Sequence, residues 1–154
     1  MFSRAALAIA ASLMFTVPAL TSQAWAAETA QEKANIANVT AFYNAALNDK
    51  DYAKAEKYLG DRYVQHNPVA ADGKEGFKAF IQFLKDNAPN SKSEIKRAFA
   101  DGDYVFLHVH SVRMPGTRGN AIFDLFKLEK GKVVEHWDAV QPIPETAANK
   151  NTMF

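Results

Sequence analysis

The period of the hydrophobic pattern changes once along this chain, near Lys92, and that change decides what the chain can fold into. Before it, Ile36, Val39, Phe42, Tyr43, Ala46 and Leu47 recur at three- and four-residue steps, which predicts an amphipathic helix over 28–48 with one buried stripe. Asp49 or Asp51 then caps a shorter helix carrying Tyr52, Ala55, Tyr58 and Leu59 and closing at Gly60. Pro68 turns Asn67 away from helical geometry, so 63–68 is extended. Asp72 and Glu75 open a further helix with the stripe Phe77, Phe80, Ile81 and Leu84, which stops before Pro89. Beyond Lys92 the residues alternate, β-branched and aromatic side chains accumulate, and four strands fit at about 92–100, 103–113, 119–128 and 132–141. Helices first and hairpin-linked strands afterwards define an α+β domain with helices laid on one face of an antiparallel sheet.

The turns set the register. Centring a two-residue hairpin on Asp101-Gly102 places Phe99 opposite Tyr104 and Ile95 opposite His108. At Lys130-Gly131 a two-residue turn would force Lys130 to positive φ, so a three-residue loop with Gly131 in the bulge position is expected. That loop opposes Asp124 to His136 and Ile122 to Asp138, whereas the shorter turn opposes Asp124 to Trp137. Both faces of the strands are rich in apolar residues, a pattern foreign to a sheet with water on one side. We therefore expect a partner subunit over the second face, in a homodimer. The tail from Pro142 to Phe154 is expected to be irregular, with Met153 and Phe154 available for packing.

Composition narrows the function classes. Arg4, an apolar stretch from Ala5 to Leu20 and the small-x-small run Ala24-Trp25-Ala26 form the three parts of a secretory signal peptide, with cleavage expected after Ala26. The apolar run is too short, and interrupted at Pro18, to serve as a membrane anchor. The expected destination is the periplasm or the exterior, with no membrane attachment after cleavage. Removing the first 26 of 154 residues leaves 128, one domain with room for a single core. Without Arg4 the 18 basic residues become 17, against 17 acidic ones, so nucleic acid is not an expected partner. The absence of cysteine excludes disulfides, thiolate nucleophiles and cysteine metal sites.

Chemistry concentrates on the even positions of the strands, which hold His108, His110, Asp124, His136 and Asp138 among bulky apolar residues such as Phe106. A few polar groups in an apolar wall describe a ligand cavity. The loop Met114 to Gly119 sets no geometry, so alternation leaves open whether the histidine strand shares its face with Asp124. Asp124 lies in the apolar run Ala121 to Phe126, where desolvation raises a carboxyl pKa toward the range useful for proton transfer. The other reading pairs it with Arg113 or Arg118 at a sheet edge. His136 is placed to orient or protonate it. His108, His110 and His136 also admit a three-histidine zinc site, although alternate strand histidines more commonly form a cavity wall; we expect no metal and no organic cofactor. His66, Asn67, His108, Asp138, Tyr43 and Phe106 are the candidate substrate contacts, while Tyr43 also reads as core, with Tyr63, Phe77, Phe80 and Trp137. Phosphate-cradling glycine loops, the Gly-x-Ser-x-Gly elbow and the His-Glu-x-x-His helix are missing.

Five segments carry a family resemblance: Tyr63-Val-Gln-His-Asn-Pro68, Asp72-Gly-Lys-Glu-Gly-Phe77, Ala100-Asp-Gly-Asp-Tyr-Val105, Gly131-Lys-Val-Val-Glu-His-Trp-Asp138 and the tail from Gln141 to Phe154. With them the chain from about Ala34 onward resembles the SnoaL-like polyketide cyclase family of the nuclear transport factor 2-like superfamily. Its nearest likeness is to the group described as SnoaL-like aldol condensation-catalysing enzymes. The resemblance implies a cone-shaped α+β fold with a curved sheet, an apolar cavity and dimerisation through the sheet. It further implies an aspartate on the inner sheet face as general acid/base, with a histidine on the preceding strand, and no metal or organic cofactor. The matching positions are Asp124 and His110. Cyclases of that family are usually cytoplasmic, and the leader of this chain argues against an aromatic polyketide as substrate.

The function expected from these residues is cofactor-independent acid/base chemistry, of lyase or isomerase type, on a small apolar carbonyl compound. Asp124 would remove a proton α to the carbonyl while His110 and His136 hold the enolate oxygen. The rival is a non-catalytic periplasmic binding module that uses the same cavity.

Overall fold

Helix α1 (Ala30–Tyr43) begins at a capping box. The Glu32 N–H donates to Thr29 Oγ1 at 3.1 Å and the Thr29 N–H to Glu32 Oε2 at 2.7 Å. A computed structural model describes residues 27–154; the expected signal peptide lies outside the described residues. From α1 the chain continues through one π-helical turn (Asn44–Asn48), the short helix α2 (Tyr52–Ala55) and a 3-10 turn (Glu56–Tyr58). Strand β1 (Leu59–Gln65), helix α3 (Gly73–Asn87) and four further strands follow: β2 (Lys92–Asp101), β3 (Tyr104–Val112), β4 (Asn120–Glu129) and β5 (Lys132–Pro142). Among the described residues no helix is long and apolar enough to cross a membrane.

All five strands form one curved sheet in the order β1-β5-β4-β3-β2. The last four are antiparallel neighbours, as the alternation predicts, and β1 adds a parallel edge to β5. Segment 63–68 is thus extended because part of it is a strand, and the sheet is mixed. Gly60 lies inside β1 and does not end the preceding helix as expected. It is needed for close approach, since a Cβ there would stand 2.6 Å from Val134 Cγ1. Asp51, of the two candidate caps, accepts the Lys54 N–H and opens α2.

Two registers differ from the sequence expectation. At the first hairpin Asp101 pairs with Tyr104, so the turn centres on Gly102 and Asp103, and Phe99 faces Phe106. Gly102 supplies the positive φ of 57°. At the second hairpin Glu129 pairs with Lys132 across a two-residue turn, and Lys130 does adopt positive φ at 52°. A bulge between Lys127 and Leu128 then shifts the pairing so that Phe126 faces His136 and Asp124 faces Asp138. Neither the three-residue loop nor the Asp124–Trp137 alternative is realised.

Helix α1 is tied to both turns. Asn35 Nδ2 donates to the Gly102 carbonyl at 3.1 Å, Asn38 Nδ2 to the Gly131 carbonyl at 3.0 Å, and the Gly102 N–H to Glu32 Oε1 at 2.9 Å. Between helices and sheet Phe42 stacks on Phe77 at 5.2 Å and meets Phe126 edge-on at 5.9 Å. The sheet's inner face presents Val105, Leu107, Val109, Ile122, Phe126, Leu128 and Val133 to that core.

The outer face is aromatic. Phe99, Tyr104 and Phe123 are 51%, 41% and 45% exposed, and Phe106 stacks between Phe99 and Phe123. As expected the tail is irregular, and Phe154 packs its ring on His108 and His110, with centroids 5.2 and 4.8 Å away.

The glycine at position 60 generates a packing prediction. Gly60→Ala should lower the unfolding free energy by about 1–3 kcal/mol through overpacking. Val134→Ala in the same chain should restore part of that loss, a coupling that urea denaturation of the four chains in a double-mutant cycle would measure.

Candidate active site

Asp124 stands at the middle of β4, opposite Leu107 of β3 and Asp138 of β5. An even-numbered residue of β3 faces an odd-numbered one of β4, so the alternation changes parity across the 113–119 loop. This separates the predicted residues into two groups. Asp124, His136, Asp138, Tyr43 and Asn67 gather on the inner side of the sheet. His108, His110, Phe106 and His66 do not join them; they belong to the outer side. His110 Nε2 lies 2.8 Å from the Arg118 carbonyl, and His108 Nδ1 accepts from Arg97 Nη1 at 3.0 Å. His66 stacks on Trp137 at 4.6 Å and reaches Glu135 Oε1 at 2.8 Å. The proposed Asp124–His110 pair and the three-histidine zinc arrangement are both ruled out by the intervening sheet.

On the inner side, Asp124 is only 4% exposed. Its Oδ1 lies 3.0 Å from His136 Nε2, and its Oδ2 is buried without a hydrogen-bond partner. The sequence expects His136 directly across from Asp124; the observed contact is diagonal, two residues along β5, which long side chains span. Phe126 stacks on the His136 ring at 4.6 Å and walls the pair from water. Burial pushes the Asp124 carboxyl above the ordinary carboxylate range, against the lowering effect of His136. Burial, followed by the charge of Asp124, likewise raises the Tyr43 and Tyr63 hydroxyls, so both remain protonated phenols. His108, by contrast, is lowered by burial and by the Arg97 charge.

Strand β1 contributes groups that sequence reasoning missed. Tyr63 and Gln65 share a face with Asn67 by alternation, the signal that identifies them once 59–65 is known to be a strand. Gln65 Nε2 donates to the Tyr63 hydroxyl at 3.2 Å, and Gln65 Oε1 lies 3.0 Å from His136 Nδ1. Asn67 Nδ2 donates to both Asp138 oxygens, at 2.7 and 2.8 Å. Asn67 and Asp138 are half-buried, and beyond them Val140, on the same face, is 48% exposed. The cluster therefore meets solvent at the far end of β5.

Asp124, His136 and Asp138 bring potential metal-ligand atoms within 4.8 Å of one another. Those atoms are engaged in the contacts just described, save Asp124 Oδ2. Two surface depressions of about 550 Å³ lie elsewhere, one beside Lys50, Lys78 and Lys85 and the other beside Asn48, Ser91 and His110.

A curved mixed sheet closed by three helices, with a buried carboxyl on its inner face, defines a nuclear transport factor 2-like scaffold. The chain belongs to the SnoaL-like domain family, whose model matches residues 39–136. Among curated proteins no sequence match is found. Solved structures share the fold. An LEH-like epoxide hydrolase from M. tuberculosis is 20% identical, with 72% of this chain and 85% of that one covered at a TM-score of 0.61. A nuclear transport factor 2-like protein of unknown function from Cytophaga hutchinsonii is 24% identical, covering 70% and 90% at 0.58. A candidate SnoaL-like polyketide cyclase from Jannaschia is 17% identical, covering 75% and 90% at 0.60.

The raised carboxyl makes a stability prediction. The folded state keeps a proton on Asp124 at pH values where the unfolded chain has released it. Stability must then fall as pH rises between the ordinary aspartate value of about 3.9 and the raised one, by about 1.4 kcal/mol per pH unit. Urea unfolding from pH 4 to pH 8 should show wild type losing stability relative to Asp124→Asn; parallel curves would refute this.

Proposed function

We propose that this chain is a cofactor-independent acid/base enzyme of aldol-cyclase, lyase or isomerase type, acting on a small apolar carbonyl compound. One observation carries the reading: the buried Asp124 carboxyl has Oδ1 held by an imidazole and Oδ2 without a close hydrogen-bond partner, the Tyr43 phenol being the donor next to it. Such an oxygen is available to take a proton from a carbon α to a carbonyl. Dry surroundings keep the carboxylate basic enough for the task.

As the C–H bond breaks, its electron pair moves into the carbonyl and charge develops on the enolate oxygen. Protonated Tyr43 and Tyr63 are the donors on this face that can meet it, in place of His110. In an isomerisation Asp124 returns the proton to a different carbon. In an aldol condensation the enolate carbon bonds to a second carbonyl, and the resulting alkoxide takes the proton back. Asn67 and Asp138 mark the entrance and contact the polar end of the substrate, and the apolar core behind Asp124 disfavours a charged one.

The family includes catalysts, and its scaffold also suits a binding module that uses the same inner face without reaction. The unpartnered Oδ2 favours catalysis, because a site that only held an apolar ligand would gain nothing from leaving a carboxyl unsatisfied. Export by the leader and self-association through the outer face complete the proposal. Phe99, Tyr104, Phe106 and Phe123 form a contiguous aromatic surface that a second copy of this chain would cover.

Proton abstraction is tested by NMR of small apolar ketones in heavy water, following loss of the α-proton signal. Asp124→Asn, if folded, should slow exchange of any substrate so identified by about 10² to 10⁴; full retention would remove Asp124 from the mechanism. Sedimentation velocity should give twice the chain mass for wild type and the single-chain mass for Phe99→Glu/Phe123→Glu, and a monomeric wild type would refute the pairing.

A further inference from the structure

Gln65 ends β1 beside His136 in the parallel pairing with β5. The orientation of its amide is fixed from outside the pair. The backbone N–H of Asn67 lies 2.9 Å from Gln65 Oε1, and a backbone N–H only donates, so the atom it meets is the oxygen and not the nitrogen. Neighbouring contacts hold the segment in place: the Gln65 N–H donates to Asp72 Oδ1 at 2.8 Å, the His66 N–H to the His136 carbonyl at 2.9 Å, and the Val69 N–H to Asn67 Oδ1 at 2.9 Å.

The same Gln65 oxygen stands 3.0 Å from His136 Nδ1. Two acceptors do not bond, so Nδ1 carries a hydrogen. A neutral imidazole has only one, which leaves a lone pair on Nε2, the atom 3.0 Å from Asp124 Oδ1. A carboxylate facing that lone pair would be repelled. The contact holds only with one further proton in it, as a carboxylic acid donating to imidazole or an imidazolium donating to carboxylate.

We propose that Gln65 is a positioning residue which fixes His136 in its Nδ1–H form, so that Asp124 and His136 share one transferable proton and Asp124 Oδ2 stays free for substrate. This rests on the reading of Asp124 as the base, and it says how that base works. In the opposite tautomer a neutral imidazole would donate its only ring hydrogen to the carboxylate. That hydrogen belongs to the ring and does not move at ordinary pH, so the pair would have nothing to hand on. With Nδ1 occupied by Gln65, the proton between the two groups can pass to either, and arrival of a substrate proton at Oδ2 is met by a shift toward His136. Charged groups beside the pair act on its balance: Asp138 faces Asp124 across the strands and disfavours a second negative charge there.

The test is the protonation pattern of the His136 ring in the full mature chain, read from two-bond ¹H–¹⁵N correlations and assigned by comparison with His136→Gln. Wild type should show a protonated Nδ1 at every pH at which it is folded. Gln65→Glu keeps an acceptor at that position and should preserve the pattern. Gln65→Met removes the acceptor and should let the neutral ring shift to the Nε2–H form. A wild-type ring with bare Nδ1 overturns the proposal, and so does Gln65→Met with Nδ1–H unchanged. Should Gln65→Met fail to fold, the wild-type and Gln65→Glu spectra decide the matter. The ketone exchange assay separates this from the base assignment: an active Asp124→Asn chain beside a locked wild-type tautomer would sink the base and leave the lock standing.

Discussion

The contact between Asp124 Oδ1 and His136 Nε2 makes it possible for this sheet to bury a carboxyl group at its centre. An isolated carboxylate in a dry interior costs far more than a small domain can offset, so such a group either protonates or finds a partner. Here it has one oxygen partnered and one not. The imidazole reduces the penalty and the bare oxygen retains part of it, a combination that fits a group kept for chemistry better than one kept for stability. Removing the imidazole would leave the acid stranded; removing the acid would leave a histidine against Phe126 with its Nδ1 still held by Gln65 and its Nε2 unpaired.

Much of this arrangement was legible beforehand, for reasons that lie in particular residues. The switch from helical to alternating periodicity at Lys92 placed four strands to within a residue or two, because their alternation is local. Asp124 stood out because a charged residue inside the run from Ala121 to Phe126 is unusual whichever way it points. Strand β1 carries no such signal, since Leu59–Gln65 contains Gly60, Asp61 and Arg62 and pairs with a strand about seventy residues later. A parallel edge leaves no hairpin signal behind. Gln65 was missed with it.

The turns failed for an energetic reason. Left-handed backbone at Lys130 costs roughly 1–2 kcal/mol, enough to prefer a longer loop when only the turn is considered. The register reached through that strained residue buries Phe126, Leu128, Val133 and His136 together, and burial of a single large apolar side chain is worth about 1.5–3 kcal/mol. Packing outweighs the local preference. The sorting of histidines depends on parity across the 113–119 loop, where no local pattern reports it; His110 and Asp124 therefore looked like companions in the sequence and lie on opposite sides in space.

Helix α1 grips the turns of two hairpins that are joined through the β3–β4 pairing, by way of Glu32, Asn35 and Asn38. Each hairpin closes over a short stretch of chain, whereas the grip joins segments 67 to 93 residues apart. The seating of α1 is thereby tied to the register of both strand pairs at once: a slip of one residue in either hairpin would carry its turn carbonyl away from the asparagine that reads it.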